Sequence, residues 1–340
     1  MFVVKIIEKI IMSIEFLQPA IYSAILLIIL LSLSDYCGNY LKIIDYPDNK
    51  RKKHTKPTSL FGGTAIFFSF LTYILILRFN FNDNITAYTY IIFMSLIFMV
   101  GFMDDKYDIS PKKKILILTV ILFTYLTLKN NFEIDKLEFT SFRHQINMGL
   151  ASVFFLTFCS LLFINALNMT DGENGLCSLI QIIILLILAY FNQNSISNYP
   201  KFTFIFLLIL FLIFNIRGKV FLGDSGVYLG SFIIINDIFY TYNKVATFKV
   251  EQIFILLMVP GIDMFRVFLL RIINKKNPFS GDRMHLHHLL SNKFKNHFVL
   301  LIYSSLIIFP NLISIIYPGY TFATVMLTII FYSWIIFKLK

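Results

Sequence analysis

"AYTYIIFMSLIFMVGFMDDKYDISPKKK", residues 87–114, changes character between its seventeenth and eighteenth positions. Residues 87–103 carry no charge and are long enough to cross a hydrocarbon core, which takes about 17–25 residues in a helix. Asp104, Asp105 and Asp108 follow at once, then Lys112, Lys113 and Lys114. Carboxylates at the end of a membrane helix are costly unless something pairs with them. The stretch therefore predicts a membrane fold with polar chemistry gathered where helices end.

The rest of the chain agrees. Of 340 residues, 57% are hydrophobic and 14% charged, against about 25% charged in soluble domains. Apolar runs fall near 17–34, 60–78, 87–103, 113–128, 149–167, 176–191, 201–216, 226–243, 251–272, 297–317 and 320–338. They predict an all-α polytopic membrane protein with about eleven transmembrane helices, one membrane-embedded domain over 1–340. Residues 1–15 offer no signal-peptide cleavage site and read as an interfacial helix or an extended lead-in. Cys37, Cys159 and Cys177 are scattered, without metal-type spacing, and support no disulfide framework.

The formal charge is +11. In a membrane chain this reflects lysines and arginines crowding the cytoplasmic loops, and nucleic-acid binding is excluded on that ground. With the outermost one or two residues of each span counted in the adjoining loop, the loops after spans 1, 3, 5, 7 and 9, with the C-terminus, hold 20 of the 30 Lys+Arg; the opposite side holds 9, and Arg266 lies deeper within a span. The N-terminus is thus expected outside and the C-terminus in the cytoplasm.

Every unusual polar motif then falls in a cytoplasmic loop, near 35–59, 104–112, 168–175, 217–225 and 273–296. Asp104, Asp105 and Asp108 are hard oxygen ligands suited to Mg²⁺, which takes one or two carboxylates and completes its shell with water and substrate phosphates. Alone, the cluster also fits a solvated helix end balanced by its lysines. Asn165, Asn168 and Asp171 recur every three residues and can share one helix face, and Gly172 and Gly175 allow a ligand close to the backbone. Asp224 in "FLGDSG" can reach a metal, while neighbouring N–H groups meet phosphate. "DRMHLHH" offers Arg283, His285, His287 and His288. No cysteine lies near and the other candidate ligands are hard carboxylates, which disfavours zinc and favours a diphosphate as the partner. "RKKH" (51–54) places Lys53 and His54 in a basic cluster at the membrane surface, where it also serves as an anchor for anionic membrane lipid.

In order along the chain, DYPDNKRKKHTKPTSLFGG, GFMDDKYD, NALNMTDGENGL, VFLGDSG and VPGIDMFRVFLLR leading into DRMHLHH resemble the polyprenyl-phosphate N-acetylhexosamine-1-phosphate transferases, glycosyltransferase family 4. The HxHH pattern is similar to the GlcNAc-1-phosphate branch of the family. The phospho-MurNAc-pentapeptide branch carries a plain triple histidine after Pro-Leu. The resemblance implies catalytic Asp104, Asp105 and Asp224. It implies a metal site at Asp104, Asp105, Asn168 and Asp224, for Mg²⁺ with Mn²⁺ as substitute. It places Asp171 at the nucleotide, and His285, His287 and His288 beside the sugar-phosphate; Lys53 and His54 match the first basic motif less closely. Asn174 stands where several members have a second aspartate, and Ser59-Leu60 replaces the more usual Pro-Arg. The implied reaction moves HexNAc-1-phosphate from a UDP-N-acetylhexosamine to undecaprenyl phosphate and releases UMP. The implied setting is the cytoplasmic face of a bacterial inner membrane, at the first step of an envelope glycan such as O-antigen or teichoic acid.

A transporter is the rival class. Its support is intramembrane: Asp263 and Arg266 in span 9, and Asn236-Asp237 in span 8. Asp263 and Arg266 are three apart and also fit a structural pair behind the site.

Overall fold

The structure is a computed structural model that describes residues 2–47, 56–79, 84–128, 134–140, 145–149, 151–192, 198–278 and 282–339. All eleven apolar runs are helical. They are α1 (Phe2–Ser32), α3 (Gly62–Phe79), α4 (Asn84–Tyr107), α5 (Pro111–Leu128), α6 (Ala151–Asn168), α7 (Leu176–Phe191), α8 (Asn198–Asn215), α9 (Gly223–Lys244), α10 (Val250–Ile273), α12 (Asn296–Ile316) and α13 (Thr321–Leu339). Two short helices, α2 (Ser34–Leu41) and α11 (Leu286–Ser291), lie in connections. Among the described residues seven helices, α1, α4, α6, α8, α10, α12 and α13, are long and apolar enough to cross a bilayer. The chain is a mostly helical, polytopic membrane protein. The expected count of eleven crossings rests on α3, α5, α7 and α9 as well, which fall short of that length or apolarity.

Two details differ from the sequence reading. The first residues are not a separate lead-in: α1 runs through them without a break, because the segment before Pro19 holds no glycine or proline to stop a helix. The fold also has two small antiparallel ladders. One pairs β1 (Ile44–Asp45) with β2 (Thr58–Ser59), the other β3 (Lys136–Glu138) with β4 (Gln145–Asn147). The β3–β4 hairpin is tied to α9 by Tyr242, whose hydroxyl donates to the Lys136 carbonyl at 2.7 Å and accepts from the Glu138 N–H at 2.9 Å.

Helix α9 sits at the centre. Its middle, VYLGSFIIIN, is buried on every side, as expected of a helix apolar all round. It packs against α3, α4, α6 and α7. Between membrane helices burial alone gives little drive, so close packing and polar pairs hold the bundle. Lys201 of α8 pairs with Asp237 of α9 at 2.8 Å; the lysine is buried and the aspartate largely so. Tyr125 of α5 donates to Asn236 of α9. These pairs account for the intramembrane Asn236-Asp237. Asp263 and Arg266 also pair with each other, at 2.8 Å, as the structural reading expected.

Candidate active site

Alternating helix direction brings the motif-bearing ends together. The C-terminal ends of α4, α6, α8 and α10 meet the N-terminal ends of α5 and α9 around a cleft of about 1160 Å³. Its lining includes Asp104, Asp105, Asp108, Lys114, Asn165, Asn168, Asp171, Asn174, Asp224, Arg271, His285 and His288.

The closest approach is between the end of α4 and the start of α9. Gly223 has φ +70°, and a Cβ there would lie 2.6 Å from an Asp105 carboxylate oxygen, so only glycine fits the turn. Asp105 accepts the N–H of Asp224 at 2.7 Å and that of Ser225 at 3.1 Å, capping the helix where its dipole favours an anion. Asp104 is buried, accepts the Ile109 N–H at 2.8 Å and pairs with Lys114. The same ammonium reaches Asp224 Oδ2 at 3.0 Å, and Asn168 Nδ2 donates to that oxygen at 3.3 Å.

This geometry tests the metal reading. Among the described residues no group of three or more His, Cys, Asp or Glu side chains converges as a metal cage. Two carboxylates, Asp104 and Asp224, do converge on one point, with the Asn168 amide beside them, and Lys114 supplies the cation there. Two carboxylates with room for water and phosphate fit Mg²⁺. Asp105 is engaged differently: backbone N–H groups bond to both its oxygens, and this fixes Asp224 in the site.

The loop from Met169 to Gly175 forms the next wall. Burial, and the nearby Asp224 and Asp45 carboxylates, push Asp171 well above the usual carboxylate range. Asn215, also on the cleft, accepts the Gly175 N–H at 2.7 Å and donates to the Val220 carbonyl at 2.8 Å, joining this loop to the one before α9. Asn165 lines the cleft while its amide donates to the Leu161 carbonyl of its own helix at 2.7 Å. Gly172 lines the cleft, where its spacing suggested a close approach to a ligand, and it also makes room for the histidine motif. It packs on the His287 ring, and a Cβ there would also lie 2.9 Å from His288 Cε1.

The histidine motif divides accordingly. His285 and His288, three residues apart at the start of α11, line the cleft. His287 is buried against Gly172, away from the lining. Arg283 is not on the lining either, and its Nε is buried without a hydrogen-bond partner among the described residues. Arg271, from the last turn of α10, is the arginine at the cleft: its Nε lies 2.7 Å from Asp282 and its Nη1 donates to the Pro278 carbonyl at 2.7 Å. Burial opposes ionisation of Asp282, but bonds from Arg271 and the Met284 N–H outweigh it and hold the carboxyl below its usual range. Lys53 and His54 lie outside the described residues. The segment beyond them is stitched to the site: the Phe221 N–H donates to the Ser59 carbonyl at 2.8 Å, and the Gly63 N–H to the Leu222 carbonyl at 2.9 Å.

Lys114 and Arg271 escaped the sequence reading. Lys114 was one of three adjacent lysines that balance a helix end equally well. Arg271 lay inside a quoted motif but carried no signal of its own.

The sequence model of glycosyl transferase family 4 matches residues 87–240, which hold Asp104, Lys114, Asn168 and Asp224. Among curated proteins, the chain is similar to a probable undecaprenyl-phosphate N-acetylglucosaminyl 1-phosphate transferase of Bacillus subtilis, 28% identical over 73% of this chain and 69% of the relative. It is similar at the same identity and coverage to an undecaprenyl-phosphate alpha-N-acetylglucosaminyl 1-phosphate transferase of Salmonella typhi. A Thermotoga maritima protein of that same description is 26% identical over 86% of this chain and 88% of its own length. The matched segment and the converging motifs agree: over residues 87–240 the chain is similar to glycosyl transferase family 4.

Proposed function

We propose that this protein transfers an N-acetylhexosamine-1-phosphate, GlcNAc-1-phosphate first among them, from a UDP-sugar to undecaprenyl phosphate and releases UMP. The observation that carries the reading is the convergence of Asp104 and Asp224 on Lys114, beside Asn168, in a cleft whose far wall bears Arg271, His285 and His288. Acids and bases face each other across a space that suits a diphosphate. A second observation favours a lipid acceptor. An apolar groove of about 420 Å³ lies between α5 and α6, lined by Thr119, Val120, Phe123, Phe154, Phe158 and Leu161. It begins one helical turn beyond Ile115 and Asn165 of the cleft, so a prenyl chain lying in it would place its phosphate at the carboxylates.

In the reaction, an oxygen of the lipid phosphate attacks the sugar-linked phosphorus, a new P–O bond forms, and the bond to UMP breaks. A phosphate monoester has a second pKa of about 6, so the acceptor is largely a dianion at neutral pH and needs no base. Lys114 meets the incoming phosphate, while Arg271, His285 and His288 face the diphosphate. Asp171 and Asn174 border the nucleotide end. Mg²⁺ held by Asp104, Asp224 and Asn168 would neutralise charge growing on the phosphoryl oxygens. The positive-inside count supports a cytoplasmic site in a bacterial inner membrane, at the first step of an envelope glycan such as O-antigen or teichoic acid.

The test uses UDP-GlcNAc labelled on the phosphorus next to the sugar, with undecaprenyl phosphate in membranes holding the protein. The label should pass to the lipid fraction, excess UMP should reverse the transfer, and EDTA should stop it. Release of UDP, with the label left on the nucleotide, would overturn the assignment. A panel of other UDP-sugars, UDP-MurNAc-pentapeptide included, identifies the donor.

A further inference from the structure

The region behind the histidine motif is organised around one buried carboxylate. Asp263, on α10, is 2% exposed. Its Oδ1 accepts from Arg266 at 2.8 Å and from the Tyr332 hydroxyl of α13 at 2.6 Å. Its Oδ1 and Oδ2 share the Leu286 N–H at 3.0 and 3.2 Å, and Oδ2 lies 2.9 Å from His285 Nδ1. Arg266 turns a further donor on the Met284 carbonyl at 2.6 Å and reaches the Tyr332 hydroxyl at 2.8 Å. The backbone on both sides of His285 is thus clamped, and its ring is held from below.

Arg266, Tyr332 and the Leu286 amide are donors, so the carboxylate they surround is an acceptor. Nδ1 of His285 must then carry the proton that faces it. The ring lines the cleft, which leaves Nε2 as the nitrogen available to a ligand. The neighbouring His287 ring stacks at 5.8 Å between centroids and 9° between planes, so the His285 plane is set as well.

From this geometry we infer that Asp263 is a positioning residue for the transfer reaction: it fixes His285 as the Nδ1–H tautomer and presents Nε2 to the phosphoryl oxygens of the donor. The inference rests on the function proposed above. A bare Nε2 offers only a lone pair, so the ring takes a proton from solvent at Nε2 as the diphosphate binds; that N–H then donates to a phosphoryl oxygen, and Asp263 stabilises the resulting imidazolium, the role an aspartate has in an Asp–His pair. Arg266 and Tyr332 both donate to Asp263 and keep it aimed at the ring. The C-terminal helix α13 therefore contributes to the site through Tyr332, although it supplies no residue to the lining.

The experiment takes the full-length protein in lipid nanodiscs, ¹⁵N-labelled at its six histidines, with His285→Gln assigning the resonance. At mildly alkaline pH, wild type should show His285 protonated on Nδ1 and bare on Nε2. Asp263→Asn, which keeps the shape but loses the charge, should abolish that single tautomer. It should also lower kcat with UDP-GlcNAc about 10- to 100-fold while KM moves less than about threefold. Tyr332→Phe removes one donor and keeps the carboxylate, so the His285 tautomer should persist. A wild-type ring protonated on Nε2 would overturn the inference, as would an Asp263→Asn protein that loses kcat with the tautomer intact. If Asp263→Asn fails to insert, the wild-type and Tyr332→Phe spectra still decide. If wild type shows the Nδ1–H tautomer yet moves no label from any UDP-sugar to lipid, the transferase reading fails and the Asp263–His285 pairing stands.

Discussion

At the scale of single residues, the site turns on which of several similar side chains is aimed inward. Lys112, Lys113 and Lys114 are adjacent, and successive helical positions point about 100° apart, so only one can face the carboxylates. It is Lys114. Charge-assisted hydrogen bonds contribute about 1.5–3 kcal/mol each, and each 1.36 kcal/mol is tenfold in rate. Lys114→Met is therefore expected to lower turnover by about 10- to 100-fold. The half-saturating Mg²⁺ concentration should fall as well, because Asp104 and Asp224 no longer share an ammonium. Initial rates across a magnesium titration check both; an unchanged rate would remove Lys114 from the mechanism. Asp105 acts differently from its neighbour. Asp105→Asn presents an amide NH₂ to one of two backbone N–H groups, and an orphaned buried donor costs about 1–3 kcal/mol. The variant should melt at a lower temperature than wild type as well as lose turnover, in a thermal scan of the detergent-solubilised protein.

At the scale of elements, two contacts decide whether the helix ends register. The loop after α6 meets the histidine motif at Gly172, where any side chain would overlap the His287 imidazole. Gly172→Ala should push the two loops apart and cost at least about tenfold in kcat/KM, roughly 1.4 kcal/mol, with normal membrane insertion. Steady-state kinetics beside a membrane-fraction blot would show it, and full activity would mean the loops have slack. At the other end of the bundle, Lys201 and Asp237 lock α8 to α9. Removing one member of a buried ion pair leaves an uncompensated charge and typically costs about 3–5 kcal/mol. Lys201→Met should be strongly destabilised, and adding Asp237→Asn should recover most of the loss. A double-mutant cycle on melting temperature measures the coupling; additive losses would show that the pair is not what holds the helices.

For the whole molecule, the helix ends sort the chemistry to one side. The cleft lies at one end of the bundle, and the topology proposed from the lysine–arginine count puts that end in the cytoplasm. In a cysteine-free background, Lys219→Cys and Lys275→Cys, both exposed near the cleft, should resist an impermeant thiol reagent in intact cells. Gln145→Cys, exposed on the β3–β4 hairpin, should label. The reverse pattern would invert the topology and move the site to the outer face.

Helix positions, the membrane class and the set of polar motifs were legible in the sequence, because apolar run length and the cost of burying charge act locally and leave their mark residue by residue. Asp104, Asn168, Asp171 and Asp224 could be singled out for the same reason: a carboxylate or amide at the end of an apolar run is anomalous by itself. Direction and partnership were decided only in three dimensions. Nothing local separates Lys114 from Lys113, or tells that Asp105 caps α9 while Asp104 and Asp224 converge, since those differences arise from which helix end lies opposite. The same holds for Arg271 taking the place expected of Arg283, for His287 packing under Gly172, and for Asp263 holding His285 from the far side. Each is a contact between segments distant in the chain, and its energy depends on the packing of the bundle rather than on the residues' own neighbours.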